Sequence, residues 1–346
     1  MSRYSMRMNN NSSKNVPATL SPPLDIVVCE DAFALPFQQP LLTHLYFGNS
    51  CNIDPDYLSI QTELELLGSN LFAQYWYTDQ QVTQGSYKNI RYAHTPQMMF
   101  GLIQLPCTEN DAFQLLTHKA YCELYECLQN TSCKHLLRTW NFFPKITDRD
   151  SQHAQQNRYE VFCHSRLQAM HDSGIKTHVY PAATVIGSHD NSLQIYFLAS
   201  DTPGTAVENP RQTSAFHYPV ENNHTQPLFS RGLLKTWGQR THFYVSGTAS
   251  IVGHETLHID DVCAQLNESI NNVETLVAHA NDKHHTQLNA QDDLLYMKVY
   301  LRHRKDCEQI NQVLAARLSS NTPRALILGD MCRENLLVEI EAFYQA

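Results

Sequence analysis

The clearest hydrophobic pattern lies in the last third of the chain. Residues 241–246 are rich in aromatic and β-branched types, which predicts a strand that ends at Gly247. Asp260 and Asp261 then offer side chains that cap a helix N-terminus, and apolar residues follow at steps of three and four. This spacing predicts an amphipathic helix. Its apolar stripe consists of Val262, Leu266, Ile270, Val273 and Leu276.

The pattern continues to the C-terminus. Residues 294–301 are predicted to form a buried strand, and residues 307–318 carry a second helical stripe. Two further strands are predicted at 324–328 and 336–343. The resulting order is β-α-β-α-β-β. This alternation predicts an α+β fold with two domains, in which helices pack on one face of mixed β-sheets.

The first half of the chain contains strand-like runs at 159–162, 182–186 and 193–198. Two prolines and a glycine between residues 201 and 211 interrupt regular structure. We therefore divide the chain at residue 205, into an N-terminal domain of residues 25–204 and a C-terminal domain of residues 205–346.

Two other features bear on this organisation. Residues 1–24 begin with a polar stretch rich in Asn and Ser, which predicts a disordered tail. Residues 157–162 resemble residues 239–244 weakly, each ahead of a serine. This weak similarity indicates either a duplicated domain or a chance resemblance between two short segments.

Composition narrows the class of protein. The chain has 346 residues, of which 42% are hydrophobic, and this is enough for a sizeable buried core. It contains no apolar run typical of a signal peptide or of a bilayer-spanning segment, so we expect a cytoplasmic protein that does not bind membranes. A net charge of −9 argues against nucleic acid as a partner.

The ten cysteines are expected to be free thiols in a reducing compartment. The tightest group, Cys122, Cys127 and Cys133, lacks the closely spaced ligand pairs of structural zinc sites. We therefore predict no metal site.

Charge is distributed unevenly along the chain. Between Arg158 and Arg240, seven Lys and Arg residues face six Asp and Glu residues, so this block is slightly positive in an acidic protein. The excess indicates either an ordinary mixed surface or a pocket for an anion. The planar guanidinium groups of the arginines and the tyrosine hydroxyls in this block are suited to binding carboxylates.

The last predicted strand places Glu339 and Glu341 on one side and aliphatic residues on the other. The two carboxylates indicate either a solvated sheet face or the wall of a cleft. In a cleft, a desolvated carboxyl has a raised pKa and acts as an acid or base near neutral pH. The segment 246–255 contains several small residues that would let a ligand approach the backbone, although the same composition is typical of a turn.

Several segments together resemble one family, the chorismatases. The similarity runs from about residue 150 to the C-terminus. The matching segments are RYEVFCHSR (158–166), YPAAT (180–184), YFLA (196–199), NPRQ (209–212), SGTASIVGHE (246–255) and CRENLLVEIE (332–341). The resemblance implies a C-terminal half with the YjgF/RidA fold, and a monomer or a homotrimer.

The resemblance also implies an activity. The expected reaction converts chorismate to pyruvate and an aromatic acid, either 3-hydroxybenzoate alone or 3-hydroxybenzoate with some 4-hydroxybenzoate, without any cofactor. It implies Glu339 as the acid/base, with a much smaller role for Glu341. It implies Gly247 and Cys332 as the residues that select the product, because family members with Ala at the glycine position resemble the hydrolytic type. The implied substrate contacts are Tyr159, Arg166, Tyr218 and Arg231.

Two alternatives remain open from the sequence. Arg324 lies 15 residues before Glu339, a spacing that resembles the carboxylate-binding arginine of YjgF-type imine hydrolases. The segment from Tyr159 to Arg231 has no counterpart in those small proteins and therefore favours a chorismatase. A non-catalytic sensor of aromatic acids is the second alternative.

Overall fold

A computed structural model of the chain describes residues 23–30, 40–48, 57–107, 112–150, 156–176, 179–218 and 226–346. The predicted disordered tail, residues 1–24, lies outside these ranges except for its last two residues, so the tail stays a prediction. Leu24 is fully buried, and the packed part of the chain therefore includes the end of the predicted tail. No helix in the described ranges is long and apolar enough to cross a membrane.

The first sheet is built by the N-terminal segment. Its strands are β1 (Asp25–Cys29), β2 (Leu41–Gly48), β3 (Ser59–Gln61) and β5 (Leu71–Tyr77), whereas β4 (Leu66–Leu67) joins a different sheet. The order is β1-β5-β2-β3. One face packs Leu42, Phe72 and Trp76 into the central core of the protein.

The second sheet has six strands and two helices. Its elements are β6 (Thr83–Tyr87), β7 (Ile90–His94), β8 (Met98–Pro106), α1 (Phe113–Gln129), β9 (His135–Pro144), α2 (Arg158–Asp172), β10 (Ala182–Ser188) and β11 (Ser192–Ser200). The strand order is β10-β9-β11-β8-β7-β6. The predicted strands at 182–186 and 193–198 are confirmed as parts of β10 and β11.

The predicted strand at 159–162 is wrong, because these residues form the first turn of α2. Asn157 caps this helix: its side chain accepts a hydrogen bond from the backbone N–H of Glu160, and the Glu160 side chain bonds back to the Asn157 N–H. Such a capping box fixes a helix start. A short apolar run such as Val161–Phe162–Cys163 fits a buried helix face as well as a strand.

The third sheet holds the C-terminal elements. They are β12 (Thr205–Val207), β13 (Gly232–Trp237), β14 (Arg240–Val245), β15 (Thr248–Ala249), β16 (Ile251–Val252), β17 (Glu255–Thr256), α3 (Val262–His284), β18 (Leu294–Leu301), α4 (Cys307–Arg317), β19 (Arg324–Leu328) and β20 (Val338–Gln345). The strand order is β12-β13-β14-β20-β18-β19-β4, while β16 and β17 pair only with each other. The six elements predicted from the sequence are confirmed in their predicted order, but the short strands β15, β16 and β17 lie between the first strand and the first helix. The last strand starts two residues later than predicted.

The second and third sheets repeat one topology. In each, one parallel pair is joined through a helix, as in β9/β10 and β18/β19, and the strands that follow this pair towards β6 and β12 have the same order, while β4 adds one strand beyond β19. The weak sequence similarity does not correspond to this repeat, because residues 157–162 form the start of a helix whereas residues 240–244 lie in β14. The division at residue 205 falls between the two sheets and stays a prediction.

Strand β20 lies between two cores. Val338, Ile340 and Ala342 pack under α3 and α4. The opposite side, with Glu339, Glu341 and Phe343, faces the second sheet, and all three residues are buried. The possibility that these two carboxylates lie on a solvated sheet face is therefore wrong, because another sheet covers them.

Candidate active site

A cavity of about 720 Å³ opens where the start of α2, the segment before β13 and the start of β20 meet. Five of the residues predicted to act on the substrate or select the product line it together with Glu339. These six residues are Tyr159, Tyr218, Arg231, Gly247, Cys332 and Glu339. Residues separated by 180 positions in the sequence thus converge on one cavity, as the resemblance implied.

Glu339 lies in the wall of this cavity, and its carboxyl makes no hydrogen bond to any described residue. Burial, followed by the negative charge of Glu341, raises its pKa to about 8 against the opposing effect of Arg138 and Arg231. A carboxyl with this pKa is mostly protonated at pH 7. Glu339 can therefore donate a proton, as a general acid must at neutral pH.

Gly247 provides the space that Glu339 occupies. A Cβ at this position would overlap Oε1 of Glu339, and it would lie 3.0 Å from Cδ and 3.5 Å from Oγ1 of Thr184. The Gly247 N–H donates to the Ala183 carbonyl at 3.0 Å, so the turn is fixed against β10. Glycine at this position lets the carboxyl of Glu339 pack directly against the backbone, and an alanine here would force that carboxyl to move.

Ser246 joins this turn to its neighbours. Its Oγ donates to the Ser230 carbonyl at 2.6 Å and accepts the Ala183 N–H at 2.9 Å. The hydroxyl is fully buried. Through it, the loop that carries Arg231, the turn at Gly247 and strand β10 hold one geometry around the cavity.

Arg231 and Tyr218 form the anion-binding part of the wall. Nη2 of Arg231 donates to the Tyr218 hydroxyl at 2.7 Å and to the Thr213 carbonyl at 2.8 Å. The guanidinium also lies over the rings of Tyr218 and Phe229, at 5.5 and 5.2 Å from their centroids. No carboxylate in the described ranges forms a salt bridge with Arg231, so its charge is available to a ligand.

Tyr159 and Cys332 also line the cavity. Burial raises the pKa of the Tyr159 hydroxyl well above its usual value, so it stays a neutral hydrogen-bond donor. Burial, followed by the negative charge of Glu339, raises the pKa of Cys332 to about 11. The thiol is therefore neutral at pH 7 and contributes shape rather than charge.

Arg166 does not line the cavity. It lies on α2 seven residues after Tyr159, and its guanidinium lies 5.1 Å from the centroid of the Tyr121 ring. The side chain is buried, its Nε has no hydrogen-bond partner, and no salt bridge joins it to a described carboxylate. Its predicted role in binding substrate stays a prediction.

Arg333 lines the cavity although the sequence analysis gave it no role. Its Nη1 donates to the His254 carbonyl at 2.9 Å and to Oγ1 of Thr256 at 3.1 Å. Its guanidinium lies 5.8 Å from the Tyr218 ring centroid, so Tyr218 contacts both Arg231 and Arg333. The sequence could have indicated this residue, because it follows Cys332 in the segment 332–341 that resembles the chorismatases.

Glu341 belongs to a buried ionic cluster that the sequence analysis also missed. One carboxylate oxygen lies 2.8 Å from Nζ of Lys298 and 3.1 Å from the Trp140 indole nitrogen. The other accepts hydrogen bonds from Arg138 at 3.2 Å, Thr184 at 2.8 Å and Tyr300 at 3.1 Å. Burial alone would raise the pKa of Glu341, but Lys298 and Arg138 outweigh burial and hold the pKa below its usual value.

Two further predictions concern positions away from the cavity. Arg324, the arginine of the imine-hydrolase alternative, begins β19 and is absent from the cavity wall. Among the described residues, no group of three or more His, Cys, Asp or Glu side chains has the arrangement of a metal site.

Known proteins resemble this chain over most of its length. The family described as chorismatase FkbO/Hyg5-like, N-terminal, matches residues 74–199. A chorismatase of Streptomyces rapamycinicus is 32% identical over 278 residues, which make up 78% of this chain and 81% of that protein. The chain belongs to the chorismatase family. A 3-hydroxybenzoate synthase of Streptomyces hygroscopicus is 30% identical over 296 residues, with 84% of this chain and 86% of that protein covered.

One solved structure agrees with the chorismatase fold over nearly the whole chain. A crystal structure of a chorismatase is 26% identical, covers 94% of this chain and all of its own, and superposes with a TM-score of 0.84. RidA from an Antarctic Psychrobacter is 17% identical and covers 41% of this chain and 99% of its own, with a TM-score of 0.30. The family match at 74–199 includes Tyr159 and Arg166, whereas Arg231, Gly247 and Glu339 lie beyond it.

Proposed function

We propose that this chain is a chorismatase that cleaves chorismate into pyruvate and 3-hydroxybenzoate. The observation that carries this proposal is a cavity whose wall holds both Glu339, whose pKa is raised to about 8 mainly by burial, and Arg231, which forms no salt bridge with a described carboxylate. Relatives named chorismatase and 3-hydroxybenzoate synthase support the substrate and the product.

Chorismate is a dianion with a ring carboxylate and an enolpyruvyl carboxylate. Arg231 with Tyr218 forms a binding site for one of them, since a guanidinium and a hydroxyl both donate to carboxylate oxygens. We keep Arg166 as the proposed partner of the second carboxylate, because a buried guanidinium without a counter-ion is costly until an anion reaches it. Arg333 adds positive charge at the wall.

Glu339 starts the reaction by protonating the terminal methylene of the enolpyruvyl group. The resulting oxocarbenium ion weakens the bond between the ring carbon and the ether oxygen. The oxygen of the hydroxyl on the neighbouring ring carbon then bonds to this carbon as pyruvate leaves, and it gives up its proton, which reprotonates Glu339. The resulting epoxide opens by breaking the bond between the oxygen and its original carbon, the oxygen gains a proton, and the ring becomes aromatic by losing the proton on the carbon that keeps the oxygen. Atoms balance without water, because the two products together contain the atoms of chorismate.

The rate of pyruvate release is expected to depend on pH through Glu339. The acid form is required, and the pKa of about 8 means that this form is lost as pH rises through 8. We therefore expect kcat to be nearly constant from pH 6 to 7 and to fall about tenfold per pH unit well above 8. Initial rates across this range check the prediction, and a kcat that falls only below pH 6 would assign the chemistry to another group.

Product choice is expected to depend on Gly247 and Cys332. A methyl group at position 247 collides with Oε1 of Glu339 and moves the proton donor relative to the ring, while alanine at position 332 leaves room for water. We expect Gly247→Ala with Cys332→Ala to divert product from 3-hydroxybenzoate to the dihydroxy diene acid, with pyruvate release retained. Chromatography of the ring products measures the shift.

Isotopic labelling tests the same prediction independently. In ¹⁸O-labelled water the wild type is expected to give unlabelled 3-hydroxybenzoate, because a well-placed internal hydroxyl outcompetes water at effective molarities of about 10⁵ M or more. Cys127→Ala, on α1 and outside the cavity wall, is the matched control and should keep the wild-type product. Label in the wild-type ring hydroxyl would exclude internal attack.

The decisive test of the proposed function uses purified protein and chorismate, with pyruvate coupled to lactate dehydrogenase. Stoichiometric pyruvate and 3-hydroxybenzoate are expected. Tight binding of chorismate without turnover would instead identify a sensor. Hydrolysis of a 2-imino acid with no action on chorismate would identify the imine-hydrolase alternative.

A further inference from the structure

Two glutamates on one face of β20 have opposite surroundings. Glu339 faces the cavity without a hydrogen bond to the described residues, whereas Glu341, two residues later, is held by two cations and three neutral donors. Two residues along a strand are about 6–7 Å apart, so the two carboxyls are neighbours. A fixed charge at Glu341 therefore acts directly on Glu339.

We propose that Glu341, held as a carboxylate by Arg138 and Lys298, is a positioning residue that keeps Glu339 in its acid form. This inference rests on the proposed function, in which Glu339 donates the proton. Glu341 does not contact the substrate in this scheme, because it lies behind the cavity wall and all of its described partners are buried.

The charges around the pair explain why Glu341 is needed. Arg231, before β13, and Arg138, on β9, both favour the ionised form of Glu339, and the Cys332 thiol is neutral. Burial opposes these two arginines most, and Glu341 is the charged group that opposes them. Without its negative charge, burial alone would work against the two arginines, and Glu339 would ionise at a lower pH.

The remaining groups near Glu341 carry no charge at neutral pH. They are Tyr196 on β11 and Tyr296 and Tyr300 on β18, and burial raises the pKa of each hydroxyl well above its usual value. The ionic state of the cluster is therefore set by Arg138, Lys298 and Glu341 alone. In a buried site these charges are only weakly screened by solvent.

The same cluster fixes the position of Glu339. Thr184 on β10 accepts a hydrogen bond from Arg138 at 2.6 Å and donates one to Glu341 at 2.8 Å. Its Oγ1 is also 3.5 Å from the site of a Cβ at Gly247, the backbone against which Glu339 packs. The cluster thus ties β9 and β10 of the second sheet to β18 and β20 of the third sheet beside the proton donor.

Two substitutions that remove charges of opposite sign test the inference, because they should shift the pH dependence of kcat in opposite directions. In Glu341→Gln we expect the alkaline fall of kcat to move to lower pH by about one unit or more, which lowers activity at pH 8 roughly tenfold relative to pH 6. In Arg138→Met we expect the fall to move to higher pH. Tyr300→Phe removes a hydrogen bond to Glu341 but keeps all three charges, and it should leave the pH profile in place.

A purely structural role predicts a different result. It would lower kcat or the melting temperature of both charge variants while the alkaline fall stays at the wild-type pH, and this outcome would overturn the inference. If Glu341→Gln does not fold, the direction of the shift in Arg138→Met decides by itself, because only an electrostatic role moves the fall upwards.

A second measurement needs no turnover and separates this inference from the proposed function. The wild type loses stability relative to Glu339→Gln as pH rises from the unfolded pKa to the folded pKa, and the pH at which this loss levels off reports the titration of Glu339 in the folded protein. This pH should fall in the Glu341→Gln background and rise in the Arg138→Met background. A wild type that releases no pyruvate but shows these shifts would contradict only the proposed function, whereas unshifted values in an active enzyme would contradict only the inference.

Discussion

Replacing Glu339 with glutamine is expected to reduce pyruvate release by about 10²–10⁴-fold, the usual cost of losing a general acid. Glutamine has nearly the same shape as the protonated carboxyl, so the cavity and the turn at Gly247 should be preserved. The amide cannot protonate the methylene of the enolpyruvyl group. Substrate binding should survive, and calorimetry with chorismate measures it directly in the inactive variant.

Stability provides an independent readout for the same variant. The pKa of Glu339 is about 8 in the folded protein and about 4.5 in the unfolded chain, so only the folded state keeps the proton between these values. Raising the pH from 4.5 to 8 therefore costs the wild type stability. Glu339→Gln lacks this loss and is expected to melt at a higher temperature than the wild type at pH 9.

Glu334→Gln is the matched control, because Glu334 also lines the cavity but is exposed. We expect its kcat to stay within a few-fold of the wild type. A loss below tenfold in Glu339→Gln, or an equal loss in both variants, would rule out Glu339 as the proton donor.

Replacing Arg231 with alanine is expected to lower kcat/KM for chorismate by about 10²-fold or more. The guanidinium is buried, has no carboxylate partner in the described ranges and lies beside the Tyr218 hydroxyl. Losing a charge-assisted contact of this kind costs about 2–4 kcal/mol. KM should rise together with the fall in kcat, because the carboxylate must be held both before and during bond cleavage.

Other arginines provide the comparison for Arg231. Arg304→Ala removes an exposed arginine that pairs with Glu65, outside the cavity wall, and should leave kinetics unchanged. Arg166→Ala is expected to cause a loss similar to that of Arg231→Ala, as the resemblance implies. Near-normal kinetics in Arg231→Ala, with the fold intact, would show that the anion binds elsewhere and would contradict the proposed site.

Much of the C-terminal half could be predicted because its signals are local. The step of three and four from Val262 to Leu276 and the alternation in β20 are each carried by one short segment, and both elements formed as predicted. The prediction of a strand at 159–162 was wrong because this segment is too short to carry a clear local signal. Three or four apolar residues do not distinguish a helix from a strand, and the capping box at Asn157 was the local signal that did.

The cluster around Glu341 could not be predicted in this way. Arg138 and Thr184 lie on strands more than 150 residues before Glu341, and no spacing in the sequence connects them. A buried glutamate and a solvated one share the same alternating pattern along a strand. The difference arises only when a second sheet covers that face, which the pattern of a single strand does not record.

The sequence by itself determined the order of the C-terminal elements, the family and the residues that carry its motifs, because these depend on residue types at short spacings. Only the tertiary structure decided that Glu339 is buried with a raised pKa, that Gly247 provides the space for it, that Arg333 lines the same cavity and that Arg166 does not. The physical reason is that desolvation and charge–charge effects depend on which distant strands lie within a few ångströms. That proximity is a property of packed sheets and is absent from any local pattern of the chain.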